Sequence, residues 1–258
     1  MSYIDVHCHL NGEDYGPVDA LIADVQAAGV KKIISVGFDL PSSEYCARLS
    51  EIYPCVYFTA GFHPTELGAY RDGDLDRIEE LTHNAKCVAI GEIGLDYHYP
   101  DTDRAKQLRV FTAQLELAKK LDIPVQIHSR DSAEDMLCVL KEHARGLKAM
   151  LHCYSHSLEI AKELEELGAY FSFGGTSTYS GSKKARRTIA ALPLERIMTE
   201  TDSPYLPPRS MAGVFPNTPK SIPEILANTA EIKGISVEEA AASVWDTAHS
   251  FFKKLNNV

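Results

Sequence analysis

Histidines and carboxylates follow short apolar runs at several points of this 258-residue chain. His7 and His9 are separated by one residue, so on a strand both side chains project from the same face. Glu92 lies in an apolar stretch without lysine or arginine, where an ionised carboxylate needs a positive partner, either a metal ion or a distant basic residue. Imidazoles and carboxylates are ligands of divalent metal ions. Six such side chains end five runs: His7, His9, Glu92, His128, His152 and Asp202.

The runs that carry these side chains are typical of buried β-strands. Eight apolar runs occur, at 3–6, 32–36, 56–60, 87–90, 124–127, 148–151, 169–173 and 196–198. The segments between them have helical periodicity. Strands that alternate with helices form a parallel sheet covered by helices. The pattern predicts an α/β fold, a (β/α)8 TIM barrel, for which eight units in about 250 residues are usual. An open doubly wound sheet is the alternative.

In a barrel of this kind the carboxyl ends of all the strands lie at one mouth, where barrel enzymes have their active sites. The six side chains are expected to meet there, and one dinuclear metal site explains them better than six separate structural roles. An additional C-terminal helix is predicted at 236–252. Because no linker or change of composition divides the sequence, residues 1–258 are predicted to form a single domain.

The composition indicates the cellular compartment and restricts how the protein could bind nucleic acid. The chain has 36 acidic and 26 basic residues, a net charge of −10, and this excludes nucleic-acid binding through a broad basic face. Its six scattered cysteines are typical of reduced thiols in a cytosolic protein. No signal peptide is evident, and no apolar run approaches the roughly 18 residues of a membrane helix. A cytoplasmic protein without membrane contact is therefore expected.

Six motifs occur in order over residues 3–206: DVHCH at 5–9, GFHP at 61–64, GEIGLDY at 91–97, HSR at 128–130, HCYS at 152–155 and ETDSPYL at 200–206. Together they resemble the TatD family of metal-dependent deoxyribonucleases, within the amidohydrolase-like barrels. The resemblance implies hydrolysis of DNA phosphodiester bonds with two divalent metal ions. It implies that one ion is held by His7, His9 and Asp202, the other by His128 and His152, and that Glu92 bridges them.

The catalytic and substrate contacts are assigned from the residues near this site, and for Asp202 the resemblance implies the same role. Asp202 is expected to accept the proton of the attacking water, and His63 to contact the substrate phosphate or the leaving group, with a structural histidine as the alternative. Arg130 suits a phosphate through its planar fork of donors, or pairs with Asp96 or Asp131. Asp96 is expected to orient a ligand histidine through its other ring nitrogen.

The sequence leaves the metals and the substrate open. Four imidazoles and two carboxylates suit Zn²⁺, Mn²⁺, Co²⁺ or Ni²⁺ better than Mg²⁺, whereas the family is described as magnesium-dependent, so two ions of Mg, Mn or Zn are expected. DNA is the predicted substrate. A metallohydrolase of a small amide, ester or phosphoester is the alternative, and a non-enzymatic scaffold is a third hypothesis that the full ligand set opposes.

Three departures from the family pattern concern the substrate rather than the metals. His156 stands where glycine is common, the 211–216 stretch of the 207–217 loop has no arginine shortly before Asn217, and Thr247 stands where asparagine is frequent. Two bound ions would reverse the local charge at the mouth, so the acidic chain is expected to hold a few nucleotides and trim ends rather than cover a duplex. No obligate protein partner is evident, and a monomer is expected.

Overall fold

The computed structural model describes residues 1–10 and 13–256 and contains a barrel of eight parallel strands. Neighbouring strands are consecutive in sequence from the first to the eighth. In a doubly wound sheet the strand order would instead reverse at a switch point. The predicted (β/α)8 TIM barrel is therefore confirmed. The strands are β1 (Tyr3–Cys8), β2 (Val30–Val36), β3 (Val56–Ala60), β4 (Cys87–Asp96), β5 (Val125–Arg130), β6 (Ala149–Leu151), β7 (Tyr170–Phe173) and β8 (Ile197–Thr199).

The first and last strands meet at the carboxyl end of the barrel. The backbone N–H of Asp202 donates to the carbonyl oxygen of His7 at 3.0 Å, and the N–H of His9 donates to the carbonyl oxygen of Ser203 at 2.7 Å. We call this pair of hydrogen bonds the seam. It joins the end of β1 to the segment after β8, and it lies within the motifs that carry the predicted metal ligands.

Helices surround the barrel, and none in the described part of the chain is long and apolar enough to cross a membrane. The last of them, Val237–Phe251, matches the predicted helix at 236–252. It begins with a capping box, in which Ser236 and Glu239 each accept a hydrogen bond from the other's backbone N–H. The α-helices are α1 (Val18–Ala27), α2 (Leu40–Ile52), α3 (Asp74–Thr82), α4 (Arg104–Leu121), α5 (Ala133–His143), α6 (Leu158–Glu166), α7 (Lys183–Ala191), α8 (Ile222–Lys233) and α9 (Val237–Phe251).

The C-terminal segment covers the amino-terminal end of the barrel, opposite the mouth. Phe251, Phe252 and Leu255 are fully buried against apolar side chains from the barrel strands. Lys32, near the start of β2, donates from Nζ to the carbonyl oxygen of Leu255. Lys148, just before β6, donates to the carbonyl oxygen of Ser250. Because this end is closed by packing, access to the barrel is from the mouth.

The fourth strand extends beyond the predicted 87–90. It covers Cys87–Asp96, and all ten residues are buried. Gly94 permits this extension: its φ is +144°, and a Cβ there would lie 2.0 Å from the carbonyl oxygen of His128 on β5. The close approach of the two backbones carries Glu92 and Asp96 to the mouth on one continuous strand.

Candidate metal centre

The predicted ligand side chains meet at the carboxyl ends of the strands. They surround a cleft of about 330 Å³ at the mouth. His7 is completely buried below this cleft. The other five line it: His9, Glu92, His128, His152 and Asp202.

The two carboxylate oxygens of Glu92 face two different groups of imidazoles. Oε1 lies 3.0 Å from Nδ1 of His128 and 2.8 Å from Nε2 of His152. Oε2 lies 3.5 Å from Nε2 of His7 and 3.7 Å from Nε2 of His9. Glu92 is only 3% exposed, so the two groups meet at this one buried carboxylate.

The group around Oε2 is spaced for a cation. Nε2 of His7 lies 3.7 Å from Oδ1 of Asp202, and Nε2 of His9 lies 3.4 Å from the same oxygen. Ligand atoms around a tetrahedral ion with bonds of about 2.0–2.1 Å are about 3.3–3.4 Å apart. Nε2 of His7 is buried and has no hydrogen-bond partner among the described residues. These residues therefore fit a divalent cation.

The two β1 histidines are oriented by hydrogen bonds on their Nδ1 atoms. Nδ1 of His7 donates to Oε1 of Gln126 at 3.1 Å, and Nε2 of Gln126 donates to the carbonyl oxygen of Val6, which fixes the amide. Nδ1 of His9 donates to the carbonyl oxygen of Val36 at 3.2 Å. Each ring thus directs the lone pair of Nε2 into the cluster, as a metal ligand requires.

Carboxylates face the outer nitrogens of the two histidines on the other side. Nε2 of His128 donates to Oδ2 of Asp96 at 3.0 Å, which turns Nδ1 toward Glu92. Nδ1 of His152 faces Oε1 of Glu200 at 3.7 Å. Glu200 is itself held by the hydroxyl of Ser172, which donates to Oε2 at 2.5 Å. Each of these two rings therefore has a carboxylate on its outer nitrogen.

The cluster attracts positive charge. Burial acts to raise the pKa of Glu92, but the charges of His152 and His63 and the hydrogen bonds from His128 and His152 hold that pKa well below its usual range. Burial acts to lower the pKa of His152, but Glu92 and Glu200 raise it well above its ordinary value. Against the effect of burial, the neighbouring carboxylates also raise the pKa values of His9 and His128, so these three imidazoles favour protons where no cation is bound. A divalent ion competes with those protons for the same nitrogens.

A buried acid supports the backbone that presents Asp202. The Asp5 carboxylate accepts hydrogen bonds from the backbone N–H and the hydroxyl of Thr201, at 3.1 and 2.5 Å, and from the N–H of His7 at 3.1 Å. Burial raises the pKa of Asp5 to about 8. Asp202 itself has a φ of +51°, a left-handed conformation in which aspartate is several-fold enriched. The strand-end geometry is thus fixed on both sides of the seam.

Comparison with known proteins identifies the family. The family model described as "TatD related DNase" matches residues 4–253. The chain belongs to the TatD family. The sequence-based identification is therefore confirmed.

Relatives of this TatD protein support the same assignment. The "Uncharacterized metal-dependent hydrolase YabD" of Bacillus subtilis is 36% identical over 96% of this chain and 98% of that protein. The "Uncharacterized metal-dependent hydrolase YcfH" of Escherichia coli K12 is 33% identical over 98% and 96%. The crystal structure of YjjV, a TatD homologue from Escherichia coli K12, matches with a TM-score of 0.93 and 32% identity over 97% and 98%. The chain is a metal-dependent hydrolase of this family.

The predicted substrate contacts lie in different places. His63 lines the cleft with Nε2 at 3.4 Å from Oε1 of Glu92, while its Nδ1 contacts the Thr65 hydroxyl at 2.8 Å. It is thus a fifth imidazole of the cluster. Arg130 is exposed at the end of β5 and is not among the described residues that line the cleft. The unusual His156 contacts the Ser129 hydroxyl through Nε2 at 2.8 Å.

Two orienting residues of this TatD site were not predicted. Gln126 precedes His128 by two residues on β5, and Glu200 precedes Asp202 by two residues after β8. Both are completely buried. Glu200, like Glu92, is a carboxylate that follows an apolar run of the sequence. The partner of Gln126 lies 119 positions away, and no local pattern indicates it.

Replacement of Asp96 by asparagine is expected to weaken metal binding by about 10- to 100-fold, because the His128 ring loses the charged acceptor that fixes its tautomer. Titration of the chelator-treated protein with Mn²⁺ or Zn²⁺ measures this. Asp131→Asn is the matched control, since Asp131 also pairs with a histidine, His98, but is exposed. Unchanged affinity in Asp96→Asn would contradict an orienting role.

Proposed function

We propose that this protein hydrolyses phosphodiester bonds of DNA with two divalent metal ions bound at the mouth of the barrel. The observation that supports it most directly is Glu92, whose two oxygens face separate imidazole groups in one cleft. A single buried carboxylate placed in this way suits a bridge between two ions, whereas one imidazole normally binds one ion. The description of the matching family as a DNase supports the choice of substrate.

The proposed ligand sets follow the two sides of Glu92. His7, His9 and Asp202 would hold one ion, and His128 and His152 would hold the other. Two divalent ions activate water near neutral pH and neutralise the charge that develops on a phosphoryl oxygen. Mg²⁺, Mn²⁺ and Zn²⁺ are the candidate ions, and the nitrogen-rich donor set favours Mn²⁺ or Zn²⁺.

Side chains at the mouth would accept the proton and contact the substrate. Burial acts to raise the pKa of Asp202, but the hydrogen bond with His9 and the charges of His152 and His7 hold it below its ordinary value, so the carboxylate is ionised and able to accept a proton. We assign this step to Asp202, whose side chain is 14% exposed in the cleft. We assign to His63, which lines the cleft beside Glu92, a contact to the substrate phosphate or the leaving group, and to Arg130 a contact to the flanking phosphate.

The decisive experiment combines metal content with cleavage. The protein is stripped with a chelator, reloaded with Mg²⁺, Mn²⁺ or Zn²⁺, and assayed on labelled single- and double-stranded oligonucleotides and on a chromogenic ester. Two ions per chain and metal-dependent cleavage of DNA from an end are expected. Two bound ions with ester hydrolysis and no DNA cleavage would assign the site to a small amide, ester or phosphoester instead.

The proposal treats residues 1–258 as one metallohydrolase unit that acts as a cytoplasmic monomer. All six cysteines are free thiols, four of them buried, which suits a reducing compartment. The six ligands come from a single chain, so the site needs no second copy. Light scattering during size-exclusion chromatography measures the oligomeric state. A molecular mass clearly above that of one chain would contradict this part of the proposal.

A further inference from the structure

Exposed apolar side chains cluster on one side of the cleft. Half of the large exposed apolar residues in the described ranges come from the segment after β8: Tyr205, Leu206, Val214 and Phe215. Tyr205 and Phe215 are 55% and 58% exposed, and their ring centroids are 6.5 Å apart. We call these two rings the aromatic shelf. Contiguous exposed apolar surface of this kind often marks a binding site.

The backbone beneath the shelf is held by a buried asparagine. The N–H of Tyr205 donates to the carbonyl oxygen of Asp202 at 3.0 Å. Nδ2 of Asn217, which is fully buried, donates to the carbonyl oxygens of Thr201 and Tyr205 at 3.1 and 2.9 Å. Its backbone N–H donates to the carbonyl oxygen of Pro204 at 2.9 Å. These hydrogen bonds hold the backbone around Tyr205 in place, and from it the ring points outward.

The shelf adjoins the candidate metal centre. Tyr205 lines the cleft, and its ring centroid lies 6.4 Å from that of His9. Asp202 is only three residues earlier in the chain. A group stacked on Tyr205 is consequently a neighbour of any phosphate held between the two imidazole groups.

The cleft has little else with which to hold a nucleic acid. No lysine or arginine is found among the described residues that line it. Apart from metal ions, its contact with a polyanion therefore lacks the cationic side chains that usually provide affinity for phosphates. Stacking on aromatic rings is the other general source of affinity for nucleic acids, and it acts on any base.

We propose that the aromatic shelf stacks an unpaired nucleobase next to the scissile phosphate. This inference rests on the DNA-hydrolase function proposed above and assigns a base contact of its substrate to Tyr205 and Phe215. A base inside a duplex has both faces covered by its neighbours, whereas an unpaired base offers a free face to Tyr205. Because stacking does not release counterions, substrate affinity should depend only weakly on salt.

The test uses an eight-nucleotide single-stranded probe and the same probe with abasic residues at both ends. Tyr205→Ala and Phe215→Ala are compared with the unsubstituted metal-loaded protein. For Tyr205→Ala we expect KM for the intact probe to rise about 10- to 100-fold, with kcat within about twofold and KM for the abasic probe unchanged. Tyr205→Phe should retain the native KM. Tyr99→Ala is the matched control, because Tyr99 is 54% exposed at the same end of the barrel but does not line the cleft.

Binding of the fluorescein-labelled probes, measured by anisotropy, separates this inference from the proposed function. If DNA is not cleaved but the intact probe binds more tightly than the abasic probe, and Tyr205→Ala removes the difference, the shelf stands and the hydrolytic function fails. Equal affinity of the native protein for both probes, or an equal loss in Tyr205→Ala and Tyr99→Ala, would overturn the shelf whatever the activity.

Discussion

Glu92→Gln is expected to reduce hydrolysis by about 1000-fold or more while the barrel remains folded. Glutamine has the size of glutamate but carries no negative charge, and its amide offers one oxygen where Glu92 offers two. In the proposed site both ions would lose a shared ligand. Their neutralisation of charge stabilises the transition state by several kcal/mol, and this stabilisation would be lost. Metal content should fall from two ions per chain to one or fewer, measured by mass spectrometry of the elements, and rates should be measured on the same preparations.

Glu163→Gln is the matched control for this substitution. Glu163 is exposed on α6, pairs with Lys141 at 2.8 Å and does not line the cleft, so its loss should change neither metal content nor rate. Circular dichroism of both variants verifies the fold. Near-native activity in Glu92→Gln with two ions still bound would rule out the bridging role and with it the dinuclear mechanism.

Gly94→Ala is expected to destabilise the protein by about 3 kcal/mol or more. The methyl group would lie 2.0 Å from the carbonyl oxygen of His128, so β4 and β5 must separate, and the residue would also keep a φ of +144° that alanine rarely adopts. Because the obstruction is at the His128 backbone, the ring should move away from Glu92. The free energy of unfolding in urea and the metal affinity are therefore expected to fall together.

Gly181→Ala provides the comparison. A Cβ at Gly181 would meet nothing within 4 Å, and its φ is not in the left-handed region, so the change should alter the unfolding free energy by less than about 1 kcal/mol. Equal stability of the two variants would show that β4 and β5 tolerate a wider separation than this structure has. Loss of stability without loss of metal affinity would show that His128 is positioned independently of the strand spacing.

The barrel could be predicted from the sequence because its evidence is local and repeated. Eight apolar runs separated by helical periodicity specify the architecture, and side chains at the carboxyl ends of strands must share one mouth. The same reasoning failed at the end of β4. Gly91, Glu92 and Gly94 interrupt the apolar pattern, so the strand was predicted to end at residue 90, whereas the two glycines allow it to continue against its neighbours to Asp96.

The orientation of the side chains could not be predicted in the same way. Gln126 and Glu200 act on rings that are 119 and 48 positions away in the chain, and such pairs depend on the closed barrel. His63 was predicted as a substrate contact, yet it also lies against Glu92, because only the folded mouth brings β3 and β4 side chains together. The exposure of Tyr205 and Phe215 is likewise a property of the packed loop, since aromatic residues are ordinarily expected in a core.

The seam determines when the site can exist during synthesis of the protein. Residues of β1 and of the segment after β8, such as Asp5 and Thr201, are 196 positions apart. His7 and His9 therefore leave the ribosome early and have no carboxylate partner from the last strand until most of the chain has followed, many seconds later at usual rates. Metal loading is consequently a late event, and a prematurely terminated chain lacking Asp202 would expose two histidines without forming the pocket that selects a cation.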